Sequence, residues 1–237
     1  MYLIGIVGRD RRALLEGCLA RLEQARRNYA RRTEVWFALD PLCAEYRAGW
    51  LHERGVDAVM LPRPEADAPP RERVAHMRCR LAAEACRLFR PETWLVNLDA
   101  DVAVDPDFFA RLDDVIASGA AFDPCGAVAM GNYAGYLEPG YLVSACPGGI
   151  SDVRTHGLGG CLAFPLTDKL AGVAAAGVQK GHSWDSFMCR TVAGRRVLTS
   201  RVSYVRHLGV HEQAGMCAAK HPGLDWHEFS PALREVL

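Results

Sequence analysis

Between residues 2 and 101, short apolar runs alternate with longer stretches of helical periodicity, and few folds accept that order. Residues 2–7, 34–39, 56–61 and 94–98 read as buried strands, each stopped by a polar or proline-containing segment. Between them, residues 12–29 place Leu14, Leu15, Cys18, Leu19, Leu22 and Ala25 on one helical face. Residues 42–54 predict a second helix. After a proline-rich loop over 62–70, a third helix presents Val74, Met77, Leu81, Ala82, Ala85 and Leu88. This β-α-β-α-β-α-β order predicts a parallel, doubly wound sheet flanked by helices. Such sheets bind ligands beyond the carboxyl ends of their strands, where Arg9, Asp40 and Asp99 fall.

The second half is less regular. Residues 106–118 predict a helix with proline near its first turn, and 126–133 a strand. Residues 135–160 are rich in Gly, Pro and Tyr, which suggests a structureless substrate loop or lid that orders over ligand. Strand character resumes at 161–164 and 197–205, with helical stretches near 169–176 and after Asp185. No repeat or linker divides the 237 residues, half of them hydrophobic, so a single α/β domain is expected.

Charge narrows the partners. Lys plus Arg and Asp plus Glu number 28 each and are interleaved, so no basic stripe is available for nucleic acid or an anionic membrane. No apolar run is long enough to span a bilayer, and residues 1–7 lead into charged residues rather than a secretory apolar core. The nine cysteines are odd in number and form no Cys-x-x-Cys pair, a pattern that fits reduced thiols in a cytoplasmic enzyme.

The chemistry concentrates at Trp94-Leu95-Val96-Asn97-Leu98-Asp99-Ala100-Asp101-Val102. A buried strand delivers two carboxylates, one residue apart, to the mouth of the sheet. Hard oxygen ligands of this kind suit Mn²⁺ or Mg²⁺ sharing its shell with substrate phosphates. Two solvated acids in a turn are the simpler alternative.

Together with Arg73 to Ala82 on the preceding helix, this stretch resembles the donor-binding half of GT-A glycosyltransferases. It is similar to the Asp-x-Asp mannosyltransferases and, more loosely, to the family 2 enzymes. In those an Arg-Asn-containing helix precedes the strand that ends in Asp-x-Asp; here Arg78 matches the arginine and Cys79 replaces the asparagine. The resemblance implies a GT-A, Rossmann-like, mostly parallel sheet in one domain, with residues 1–111 binding the donor and 112–237 the acceptor. It implies a UDP- or GDP-sugar donor, a hydroxyl-bearing acceptor and a manganese (or magnesium) cofactor.

Residue by residue, the resemblance implies that Asp40 contacts the base or ribose, although Asp40-Pro41 equally fits the start of a turn. Arg9 and Arg78 would face the diphosphate or base, as guanidinium suits bidentate phosphate contacts. Gly159 and Gly160, in Gly157-Leu158-Gly159-Gly160, would lie against the donor sugar. Asp185 would be the general base for the acceptor, or else a helix N-cap. Trp184 either stacks on a sugar or is buried. His207, in His207-Leu208-Gly209, would return as the third metal ligand beside Asp99 and Asp101, with His211 second. A zinc site from His207, His211, Cys217 and His221 has no trusted spacing.

Two other classes compete. A haloacid-dehalogenase-like phosphatase also uses a strand-terminal Asp-x-Asp, but on its first strand. A non-catalytic nucleotide-sugar-binding or lectin-like protein would not need Asp99, Asp101, Asp185 and His207 together.

Overall fold

The structure of the chain is a computed structural model, and it describes residues 1–8, 12–39, 48–60, 69–119, 126–131, 142–146, 150–154, 161–178, 184–194, 196–208 and 229–234. At its centre lies β1 (Tyr2–Val7), buried along its whole length as a strand covered on both faces must be. It pairs in parallel with β2 (Thr33–Leu39) on one side and β4 (Trp94–Asp99) on the other. β3 (Asp57–Met60) extends the parallel array beyond β2. The connections are α1 (Arg12–Arg27), α2 (Ala48–His52) and α3 (Pro70–Leu88), so the alternation legible in the sequence is realised in order. Of the predicted helix at 42–54, residues 42–47 lie outside the described residues.

The remaining strands complete a mixed sheet. β9 (Cys161–Pro165) pairs antiparallel with β4 and also with β6 (Val128–Ala129), filling the place between them. β10 (Arg196–Ser200) runs parallel to β6, then β8 (Ile150–Arg154) and β7 (Leu142–Cys146) follow antiparallel. The nine-stranded order is β3-β2-β1-β4-β9-β6-β10-β8-β7. Following the pairings, β9 and β8 run against the other seven strands, so the sheet is mostly parallel in direction.

Two apolar layers sandwich it in one domain. One contains Leu15, Cys18, Leu19 and Leu22 of α1 with Phe109, Leu112 and Val115 of α4 (Phe108–Gly119). The other packs Met77, Cys79, Leu81 and Ala82 of α3 with Leu170 of α5 (Asp168–Ala176) and Trp184, Phe187 and Met188 of α6 (Trp184–Thr191). Leu88, expected on the apolar face of α3, is instead half exposed in the last turn of that helix. Among the described residues no helix is long and apolar enough to cross a membrane.

Residues 135–160 need a correction. The stretch read as structureless contains β7 and β8, held by main-chain pairing to each other and, through β8, to β10. Composition misled here because ladder hydrogen bonds, not side-chain propensity, build an edge hairpin. Residues 142–146 and 150–154 are therefore strands rather than part of a structureless lid, and the rest of 135–160 lies outside the described residues. The single strand read over 197–205 is also split, with β10 ending at Ser200 and β11 (Val205–His207) beginning a second sheet. That sheet has two strands, β11 and β5 (Val102–Val104).

The strand order reverses between β1 and β4, because the chain moves outward through β2 and β3 and then returns to the other side of β1. Crevices of this kind form where connections leave a sheet in opposite directions. Val7 is in register with Asp99, so the end of β1 and the Asp-x-Asp turn share that mouth.

Candidate metal centre

β4 ends on Asp99, the chain turns through Ala100 and Asp101, and β5 begins at Val102. β5 pairs antiparallel with β11 in the register Val205↔Val104, Arg206↔Ala103 and His207↔Val102. Leu208 N–H then donates to Asp101 O at 2.7 Å. This short ribbon carries His207, over a hundred positions away in the chain, to the Asp-x-Asp turn. One ligand atom from each of Asp99, Asp101 and His207 lies within 4.8 Å of the others. His207 Nδ1 stands 3.5 Å from Asp101 Oδ1. Two carboxylates and an imidazole, all partly buried, form a donor set that fits a divalent cation, and the imidazole favours manganese over magnesium.

The turn is held from below. A Cβ added to Gly8 would lie 2.5 Å from Ala100 Cβ, so only glycine lets β1 end this close to the turn. We predict that Gly8→Ala destabilises the fold by about 2 kcal/mol through overpacking and that Ala100→Gly restores it. Thermal unfolding of the single and double variants checks this, and additive losses would contradict it. Cys18 Sγ–H donates to Asp99 O at 3.8 Å, and burial pushes its thiol up to about 12, as it does for Cys161. Both stay protonated and serve as packing.

Arg78 is the cation of the site. It rises from α3 and forms an ion pair with Asp99, its guanidinium lying over the Trp184 ring at 5.0 Å. Burial lowers its pKa, while the charges of Asp185 and Asp101 oppose that shift. Arg78 therefore links the Asp-x-Asp turn to the start of α6, where Asp185 occupies the first turn. Trp184 itself is buried, edge-on to Phe164 at 5.8 Å, so its place is under Arg78 rather than in the open.

At a sheet mouth the two carboxylates are expected to be solvent-open, but the side chains of Asp99 and Asp101 are 27% and 16% exposed, and that of Arg78 is 13% exposed. Removing Asp99 leaves a buried guanidinium short of its partner, partly compensated by Asp101 and Asp185. Asp99→Ala is expected to cost about 2 kcal/mol, below the usual range for a fully buried pair. An unchanged denaturant midpoint would contradict the pairing.

The structure thus brings together Asp99, Asp101, His207, Arg78 and Asp185. Arg9, Asp40, Gly159, Gly160 and His211 lie outside the described residues. Gly8, Cys18 and the ribbon of β5 and β11 were not singled out from sequence. A glycine directly ending the first strand was the available signal for Gly8, whereas three residues, Val102 to Val104, are too few to show periodicity. The phosphatase arrangement, which needs Asp-x-Asp on the first strand, is not the one here, because the motif ends β4.

No family model matches the chain, and no curated protein matches it in sequence. Solved structures do match. The galactosyltransferase LgtC, in complex with donor and acceptor sugar analogs, aligns with a TM-score of 0.51 at 15% identity, over 85% of this chain and 74% of that one. S. aureus TarS 1-349 aligns with a TM-score of 0.57 at 10% identity, over 96% of this chain and 67% of that one. The same TarS portion in complex with UDP-GlcNAc aligns with a TM-score of 0.52 at 10% identity, over 96% and 68%. At such identities the likeness is one of architecture, and on that basis the chain has the GT-A fold of nucleotide-sugar glycosyltransferases.

Proposed function

We propose that this chain is a metal-dependent glycosyltransferase that moves a sugar from a nucleoside diphosphate sugar to an acceptor hydroxyl. The observation that carries this reading is the convergence of Asp99, Asp101 and His207 at the switch point of a GT-A sheet. Support for a UDP-sugar comes from the TarS complex with UDP-GlcNAc, and a GDP-sugar is the other candidate donor. Residues 1–111 form the donor half and 112–237 the acceptor half, with His207 crossing back to complete the donor site. The buried free thiols Cys18, Cys79 and Cys161 suit a reducing, cytoplasmic setting.

Asp99, Asp101 and His207 would hold Mn²⁺, or Mg²⁺ in its place. Such an ion neutralises negative charge that develops on a departing diphosphate. Arg78 fixes the rotamer of Asp99 and places a second positive charge beside that region. Asp185, whose charge acts on Arg78, takes the proton from the acceptor hydroxyl. Arg9 and Asp40 are assigned to the diphosphate and to the base or ribose, and Gly159 and Gly160 to the face of the donor sugar.

Thermal shifts with UDP, GDP and p-nitrophenyl phosphate, each with Mn²⁺, separate the classes. A ligand present at 100 times its dissociation constant stabilises the fold by about 2.7 kcal/mol, enough to resolve. Stabilisation by UDP or GDP only with Mn²⁺ is expected. Hydrolysis of the phosphate ester, or no nucleotide response, would contradict the reading.

A further inference from the structure

β5 and β11 have three residues each and form a sheet of their own. A two-stranded ribbon this short is marginal without support. Yet it carries His207 to the Asp-x-Asp turn. Its inward side chains Val102, Val104 and Val205 join the core around α1 and α4. Its other side, bearing Ala103 and Arg206, is covered by residues 229–234.

That cover is built from specific bonds. Ser203 bridges Phe229, and Ser230 N–H donates to Ser203 O at 3.0 Å. Ser230 Oγ–H donates to Asp105, a buried carboxylate just past β5, whose other oxygen accepts Asp107 N–H at 2.7 Å. Leu233, fully buried, packs in the cluster with Ala103. Arg206 ties the parts together. Its Nη1 donates to Leu233 O at 2.8 Å and Arg234 O at 3.0 Å, the last carbonyls of α7 (Pro231–Arg234), which have no partner within so short a helix. Its guanidinium also lies over the Phe229 ring at 5.0 Å.

Along β11 successive side chains point to opposite faces, so Arg206 faces the chain end while the adjacent His207 faces the Asp-x-Asp turn. We propose that Arg206 is a positioning residue for metal binding, clamping β11 to the C-terminal segment so that the His207 imidazole stays within reach of Asp99 and Asp101. The C-terminal segment is thereby part of the site although it supplies no ligand. This inference rests on His207 being a metal ligand.

The test is a double-mutant cycle on Mn²⁺ affinity, read by calorimetry with electron spin echo detection of ¹⁴N coupling to bound Mn²⁺. Arg206→Met, which retains the apolar stem, is expected to weaken Mn²⁺ about 10-fold, the scale of lost support behind a metal ligand, and to diminish the nitrogen coupling. Arg206→Lys should recover part of the loss. In a His207→Ala background the Arg206 substitution should have no further effect, because it acts only through the imidazole. Wild-type affinity in Arg206→Met, or an equal loss with and without His207, would overturn the proposal while leaving the ligand assignment standing. An unchanged affinity and coupling in His207→Ala would overturn both. Should Arg206→Met fail to fold, Ser230→Ala carries the same cycle.

Discussion

Asp185→Asn is expected to lower sugar transfer by about 10²- to 10⁴-fold while donor affinity changes little, because the lost function is removal of a proton from the acceptor. Asp185 sits in the first turn of α6, and its charge acts on Arg78. Asparagine keeps the shape and one acceptor oxygen, so a helix-capping role would survive the change. Single-turnover transfer measured beside calorimetric donor binding separates the outcomes. Near-normal transfer would make Asp185 structural. Lost donor binding would place its contribution at Arg78 and the nucleotide.

The second large effect is at Asp101. Asp101→Asn is expected to lower metal-dependent transfer by about 10³-fold, equivalent to about 4 kcal/mol of transition-state stabilisation. Asp101 is a cleaner probe than Asp99, because Asp99 also neutralises the buried Arg78. The fold should tolerate the change, since Asp101 O still accepts Leu208 N–H and the ribbon remains anchored. Transfer rates with saturating Mn²⁺, alongside melting curves, provide the check. Wild-type transfer in the folded variant would remove the carboxylate from the reaction.

What was legible in the sequence follows from range. β1 to β4 and the helices between them are coded by local periodicity, and each is found within a few residues wherever the described residues reach. Asp99 and Asp101 are legible as paired carboxylates closing a buried strand, and His207 through the resemblance of its His-x-Gly segment; the structure brings the three together. The illegible parts depend on pairing across the chain. The place of β9 between β4 and β6 has no local signature. β5 is three residues long, and β7 and β8 are stabilised by their ladder rather than by their composition. Arg78 was expected to face phosphate. Its burial against Asp99 and Trp184 depends on α6, which is more than a hundred positions away. Positive charge beside the Asp-x-Asp turn is thus held inside the fold, a detail that spacing alone does not encode.

If Asp99, Asp101 and His207 form a metal-dependent nucleotide site, calorimetric titration of UDP and GDP into the full chain will show it, with Mn²⁺, with chelator, and in Asp101→Asn. One of the two nucleotides is expected to bind with Mn²⁺, and that binding to be lost both in chelator and in the variant. Equal nucleotide affinity with and without the ion, or undiminished affinity in folded Asp101→Asn, would contradict it.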